Sequence, residues 1–149
     1  MINRLRVRAQ GESGFTLVEL LVVMLILGLL AAIAIPAFFN QRTKAQDSEA
    51  KSMAKTAQTA IETYATDNNA DYSAATVAKL WGIEPTLPSS GTGKGTYALS
   101  GLAAKTYTIT ATSDSGNTFS ITRATDGSLS YPCTPSSGGG GCPGSQGWG

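Results

Sequence analysis

Residues 20–39 (LLVVMLILGLLAAIAIPAFF) form an apolar run of twenty residues without one charge. At ~1.5 Å rise per residue, that length crosses the ~30 Å hydrocarbon core of a bilayer. The pattern then changes. Ala50, Met53, Ala54, Ala57, Ile61, Tyr64 and Ala65 recur at i, i+3, i+4, i+7 spacing, with Lys44, Asp47, Lys51, Lys55 and Glu62 read as lying off that stripe. This is the signature of an amphipathic helix, in a stretch rich in Ala, Lys, Gln and Glu. One helix is predicted over residues 15–66, ~78 Å long at ~1.5 Å per residue, ended by Asp67-Asn68-Asn69. A short helix is predicted over 73–81, with Ser73 as N-cap and Gly82 just past its end. Residues 85–95 read as a loop. Alternation then predicts strands over 96–100, 106–112, 118–124 and 128–131, with turns at 113–117 and at a two-residue Asp126-Gly127 hairpin. Tyr107, Ile109 and Ala111, and Phe119 and Ile121, fall on buried faces. The other face is mostly Thr and Ser. The helix-then-strand order predicts an α+β fold, with a four-stranded antiparallel meander packed on the amphipathic half-helix.

Composition narrows the chemistry. The chain has 149 residues, room for one compact domain beside the apolar helix. Charged residues are only 14% and the formal net charge is +1. No pull toward nucleic acid follows, and no basic stripe with interleaved aromatics appears, so direct nucleic-acid binding is not expected. Histidine is absent, which removes Ser-His-Asp and Cys-His catalysis and His-ligated zinc. No nucleophile–base pair assembles, so no catalytic residue, cofactor or metal site is expected.

The placement of charge says more than its sum. Residues 1–14 carry Arg4, Arg6 and Arg8 against Glu12. A basic flank before the apolar run and a long Ser/Thr-rich segment after it predict a single pass, N-terminus in and C-terminus out. Cys133 and Cys142 would then lie in an oxidising compartment where they can pair. Their spacing is not that of a CxxC redox pair, and two thiols alone bind metal weakly. A disulfide across about ten residues would add ~2–3 kcal/mol by loop closure. Residues 138–141 read as flexible spacer, and Trp148 either packs on the head or stays mobile. The N-terminus fits a plain signal anchor. It also fits a secretory signal peptide cut at Ala32-Ile33-Ala34.

A sharper local pattern is Gly14-Phe15-Thr16-Leu17-Val18-Glu19, which ends the basic segment at the edge of the apolar run and sets an acid four residues after the aromatic. The stretch GFTLVELLVVMLILGLLAAIAIPAF resembles the N-terminus of type IV prepilins and related pseudopilins, which carry class III signal peptides. The resemblance is close over about residues 11–40 and looser downstream. It implies a pilin fold and three parts: a leader over 1–14, a membrane and filament-core helix over 15–40, and a globular head over 41–149. It implies cleavage after Gly14 by a prepilin peptidase that also methylates the new amine of Phe15. Glu19 matches the acid used in filament assembly. A carboxylate at the hydrocarbon boundary is costly and reads as functional by default. Its pairing with the Phe15 amine of a neighbour would fix axial register. The alternative is a charge that only favours the helix N-terminus.

Gly28 and Pro36 weaken the helix between them. In filaments of the family the matching stretch can extend; a static kink is the other reading. The resemblance likens the cysteine loop to the disulfide-bounded C-terminal loop of pilins. The implied partners are further copies in a helical filament, the peptidase, an inner-membrane assembly platform and, before assembly, the membrane itself. The implied location is the cytoplasmic membrane first and an extracellular pilus afterwards. The leading function is a non-enzymatic pilus subunit for adhesion, twitching motility or DNA uptake. The alternatives are a type II secretion pseudopilin, a tip pilin or a small secreted protein. Calcium-binding pseudopilins fit less well, because Asp114 and Asp126 are the only acids in the final fifty residues.

Overall fold

The computed structural model describes residues 14–134, 141–143 and 147–149. The expected leader up to residue 13, most of the Gly-rich spacer and residues 144–146 lie outside the described residues. The chain divides into two compact units, Met1–Phe38 and Phe39–Gly149, and each is described by itself.

In the first unit the apolar run is α-helical. It belongs to α1, Leu17–Asp67, which begins two residues later than predicted. Gly28 and Pro36 both lie inside α1, which is helical through each. The large apolar side chains of this stretch are exposed, from Leu17 to Phe39. The helix is long and apolar enough to cross a membrane.

In the second unit, α1 buries the predicted Ala50, Ala54, Ala57, Ile61, Tyr64 and Ala65, with Met53 only partly covered, and buries Ala60 besides. Asp47 departs from its expected place off the stripe: it is fully buried in line with the core residues. The helix ends as expected. The amide of Ala70 donates to the Ala65 carbonyl at 2.8 Å, and Asn69 and Ala70 take left-handed φ values of 54° and 59°. That 6→1 closure is a Schellman stop, here without glycine.

The second helix also differs from expectation. It is α2, Val77–Ile83, with Thr76 rather than Ser73 as N-cap and Gly82 inside it. Residues 68–75 are instead held in turns. The Ser73 amide donates to Asp71 Oδ1 at 2.7 Å, and the Ala75 amide to the Tyr72 carbonyl. This local Asp–Ser bond competes with helix initiation and wins.

Four strands run in the order of the sequence: β1, Thr96–Ser100; β2, Tyr107–Thr112; β3, Thr118–Arg123; and an edge strand that begins with Leu129–Ser130. All neighbours are antiparallel. The edge strand is longer than predicted. Cys133–Thr134 also pairs with β3, and it keeps the register that sets Leu129 opposite Arg123, with Cys133 opposite Phe119. The ladder continues between, where the Ser120 amide donates to the Pro132 carbonyl at 2.8 Å. Pro132 has no amide to return, so one strand is split into two short pieces, β4 (Leu129–Ser130) and β5 (Cys133–Thr134).

The Asp126-Gly127 turn is a three-residue loop, not a two-residue one. The Ala124 amide donates to Ser128 O, the Gly127 amide to Ala124 O, and Gly127 has φ +86°. The β2–β3 turn is built the same way, with Gly116 at φ +96°. Both are type I turns followed by a left-handed glycine, a form in which that glycine avoids a Cβ clash. Tyr97, Tyr107, Ile109, Ala111, Phe119 and Ile121 are buried on the inner face and join the α1 residues in one core.

Candidate functional site

The residues singled out at the N-terminus meet in one helix start. Thr16 and Glu19 form a reciprocal pair: the Thr16 amide and hydroxyl each donate to Glu19 Oε2 at 3.2 Å, and the Glu19 amide donates to Thr16 Oγ1 at 3.2 Å. This is a capping box, legible as T-x-x-E. It satisfies backbone donors that a helix start otherwise leaves open. The Glu19 carboxylate is therefore exposed and held within one turn of Phe15. Gly14 and Phe15 are exposed too, and a Cβ at Gly14 or Gly28 would meet nothing within 4 Å.

In the second unit three polar groupings stand at the helix–sheet seam. The first surrounds Asp47. Ser115 Oγ donates to Oδ1 at 2.5 Å; Asn117 Nδ2 and the Gly141 amide donate to Oδ2 at 2.8 and 2.6 Å. One carboxylate thus ties α1, the β2–β3 turn and the residue before Cys142. Burial pushes the Asp47 carboxyl up, but the bonds from Ser115, Gly141, Asn117 and Ser113 outweigh it and hold the group below its ordinary value. The fit is close: a Cβ on Gly141 would lie 2.8 Å from Asp47 Cβ. Cys133 and Cys142 are disulfide-bonded with Cα atoms 5.8 Å apart, as expected, and both are buried.

The second grouping centres on Glu62, also read as off the stripe but half-buried. It accepts from the Tyr72 hydroxyl at 2.6 Å and the Tyr107 hydroxyl at 2.8 Å, and lies 3.7 Å from the Arg123 guanidinium. Arg123 also stacks over Tyr72, 5.7 Å from the ring centroid. Burial, then the Glu62 carboxylate, raise the hydroxyls of Tyr72 and Tyr107 above the usual tyrosine value. They act as fixed donors, not as acids.

The third grouping settles Trp148. Its indole N–H is shared between the carbonyls of Ser120 and Pro132, both at 3.1 Å, and its amide donates to Tyr131 O at 3.0 Å. The ring meets Phe119 and Tyr131 edge-on. Lys55 lies over Tyr131 and Trp148, and Lys51 over Phe119. Among the described residues, no group of three acidic, His or Cys side chains is placed to hold a metal.

The N-terminal pattern and most of the chain each have counterparts among known proteins. The prokaryotic N-terminal methylation motif family matches residues 10–35. Fimbrial protein EcpC of Eikenella corrodens is 32% identical over 139 aligned residues, covering 84% of each chain. A fimbrial protein of Moraxella nonliquefaciens is 48% identical over 53 residues, and the type IV major pilin protein PilE1 of Neisseria gonorrhoeae 43% over 53. Those two likenesses cover 36% of this chain and about a third of each relative. A methylation motif at the head of the apolar helix, a helix-on-sheet second unit closed by a disulfide, and likeness to a fimbrial protein along most of both chains place this protein in the type IV pilin family.

Proposed function

We propose that the protein is a structural subunit of an extracellular type IV pilus, made as a membrane-anchored precursor and used without catalysis of its own. The observation that carries this reading is the methylation motif at residues 10–35, continued by likeness to a fimbrial protein over 84% of the chain. In this reading residues 1–14 are a leader, cut after Gly14, and Phe15 becomes a methylated N-terminus. Residues 15–40 hold the subunit in the cytoplasmic membrane, N-terminus in, and then pack against copies in the filament core. Residues 41–149 form the outer head. Gly28 and Pro36 are where the helix yields on assembly.

Glu19 has two separable tasks. Its carboxylate caps α1 through Thr16. In the filament it neutralises the Phe15 amine of a neighbouring subunit and so sets axial stagger, as one polar residue sets register in a coiled coil. Both groups then leave lipid as a pair. E19Q keeps an acceptor for the cap and removes the charge; E19A removes both. Both variants should be processed normally and fail to assemble. Abundant filaments of E19Q would refute the charge pairing.

The decisive experiment shears cells, collects surface filaments and weighs their subunit intact. The expected mass is that of residues 15–149 with one amine hydrogen replaced by a methyl and two hydrogens lost to the disulfide. Processed protein confined to the membrane fraction would favour a pseudopilus. A soluble species starting at Ile35 would overturn the filament reading.

A further inference from the structure

The outward face of the sheet has an unusual composition. Its residues fall into three cross-strand rows: Thr96–Thr112–Thr118–Thr134, Ala98–Thr110–Ser120–Pro132 and Ser100–Thr108–Thr122–Ser130. Ten of these twelve positions carry a hydroxyl, and none carries a charge or a large apolar group. A solvent face of a sheet needs only polar residues, and long charged side chains serve that need as well as any. Here they are missing from every row.

The hydroxyls are also ordered. Thr108 bonds Thr122 at 3.2 Å, Thr110 bonds Ser120 at 2.9 Å, and Thr118 bonds Thr134 at 2.6 Å. Each such pair uses one proton and one lone pair. It leaves one donor and three acceptor sites pointing outward. Threonine is stiff at χ1, so the array loses little rotamer freedom when something binds it. Rows are spaced by the sheet itself, about 4.8 Å between strands and about 6.8 Å between alternate residues along one. Every threonine also presents a methyl beside its hydroxyl.

We propose that this face is a docking surface for a neutral, polyhydroxylated polymer, that is, an uncharged polysaccharide chain or fibre surface. The complementarity is chemical. An uncharged face offers no ion pair to DNA, anionic lipid or an acidic peptide. A face without large apolar side chains does not bury a hydrophobic partner. Mixed methyls and hydroxyls in a regular lattice match the mixed C–H and O–H surface of extended sugars, which are neutral donors and acceptors in turn. The inference concerns the head alone and holds whether or not the chain forms filaments.

The test is co-sedimentation of the full-length chain, in a sugar-free polyoxyethylene detergent, with amorphous cellulose. Carboxymethyl cellulose beads and double-stranded DNA beads serve as charged probes. Wild type should sediment with the neutral polymer and not with the charged ones. T110V/T122V keeps side-chain shape and strand preference while removing two paired hydroxyls. It should bind about tenfold or more weakly, the loss expected from two hydrogen-bonding groups at about 1 kcal/mol each. T59V/T63V removes two exposed hydroxyls of α1, which bond only backbone carbonyls of their own helix, and should bind as wild type does. Wild type that stays in the supernatant, preference for either charged probe, or equal binding by T110V/T122V would each overturn the proposal.

Discussion

Asp47→Ala is the substitution on which the head structure makes its sharpest demand. The carboxylate is fully buried and accepts three hydrogen bonds from two separate segments, the β2–β3 turn and Gly141. A hydrogen bond to a charged group contributes about 1.5–3 kcal/mol net, so three represent several kcal/mol. Against that stands the recovered cost of having buried a carboxylate, itself several kcal/mol. Water also reaches the orphaned donors in part, since Ser115, Asn117 and Gly141 are only half-buried. The net is about 3 kcal/mol, the lower end of what removing one partner from a buried charged arrangement costs. For a unit of this size that lowers the melting temperature by about 10–15 °C. The assay is thermal unfolding of the full-length chain in detergent, followed by near-ultraviolet circular dichroism. Asp47→Asn keeps shape and one acceptor oxygen, and should fall between the two. The sign of the pH effect follows from a carboxyl held below its ordinary value. Its stabilisation is present above the unfolded pKa of about 3.9 and is lost as pH falls through the lower folded value. Asp71 and Asp126, also lowered by bonds from Ser73 and Ser128, act in the same direction. They are common to wild type and Asp47→Asn, so the flatter acid limb expected of Asp47→Asn reports Asp47. An Asp47→Ala melting temperature within about 3 °C of wild type would refute the reasoning.

Other outcomes are as specific. Cys133→Ser/Cys142→Ser should lose about 2–3 kcal/mol, read from denaturant unfolding with and without reductant; wild type should fall to the variant's stability once reduced. Trp148→Ala removes an indole N–H shared by two carbonyls and two edge-on ring contacts, and should cost about 3 kcal/mol by the same assay, with Trp148→Phe recovering part. Tyr107→Phe should cost about 1–2 kcal/mol, because Glu62 loses a donor but keeps Tyr72 and Arg123. Gly14→Val should block leader removal more than Gly14→Ala, scored by subunit size on gels; equal processing would contradict a steric demand at the cleavage position.

Much of this fold was legible because its signals are periodic. The charge-free run, the Ala-rich stripe and the period-two strands each repeat often enough that no single residue decides them. The N-terminal motif was legible for another reason: glycine, aromatic and acid sit within six residues, so no folding is needed to bring them together. What escaped was non-local or a contest between close options. Asp47 has the spacing of the stripe, three before Ala50, yet a carboxylate is excluded from a core until its donors are known. Those donors lie about seventy and more residues away. Glu62 was hidden in the same way by Tyr107 and Arg123. The α2 start turned on whether Ser73 would cap a helix or bond Asp71, and the end of the edge strand on whether a ladder can pass Pro132. It can, because the proline carbonyl still accepts from Ser120.

The Trp148 closure beside that proline has a further consequence. In the proposed reading, a subunit that gathers in a membrane before joining its copies must stick in one way only. An open last strand would invite a second way, sheet edge to sheet edge, that ends in amorphous clumps. Here the Tyr131 carbonyl, which faces away from β3, is already taken by the Trp148 amide, and the Trp148 indole bonds the Ser120 and Pro132 carbonyls where Pro132 lacks a donor toward β3. The border is blunted from within the chain. In the proposed filament, a head closed in this way leaves the apolar helix to decide how copies join.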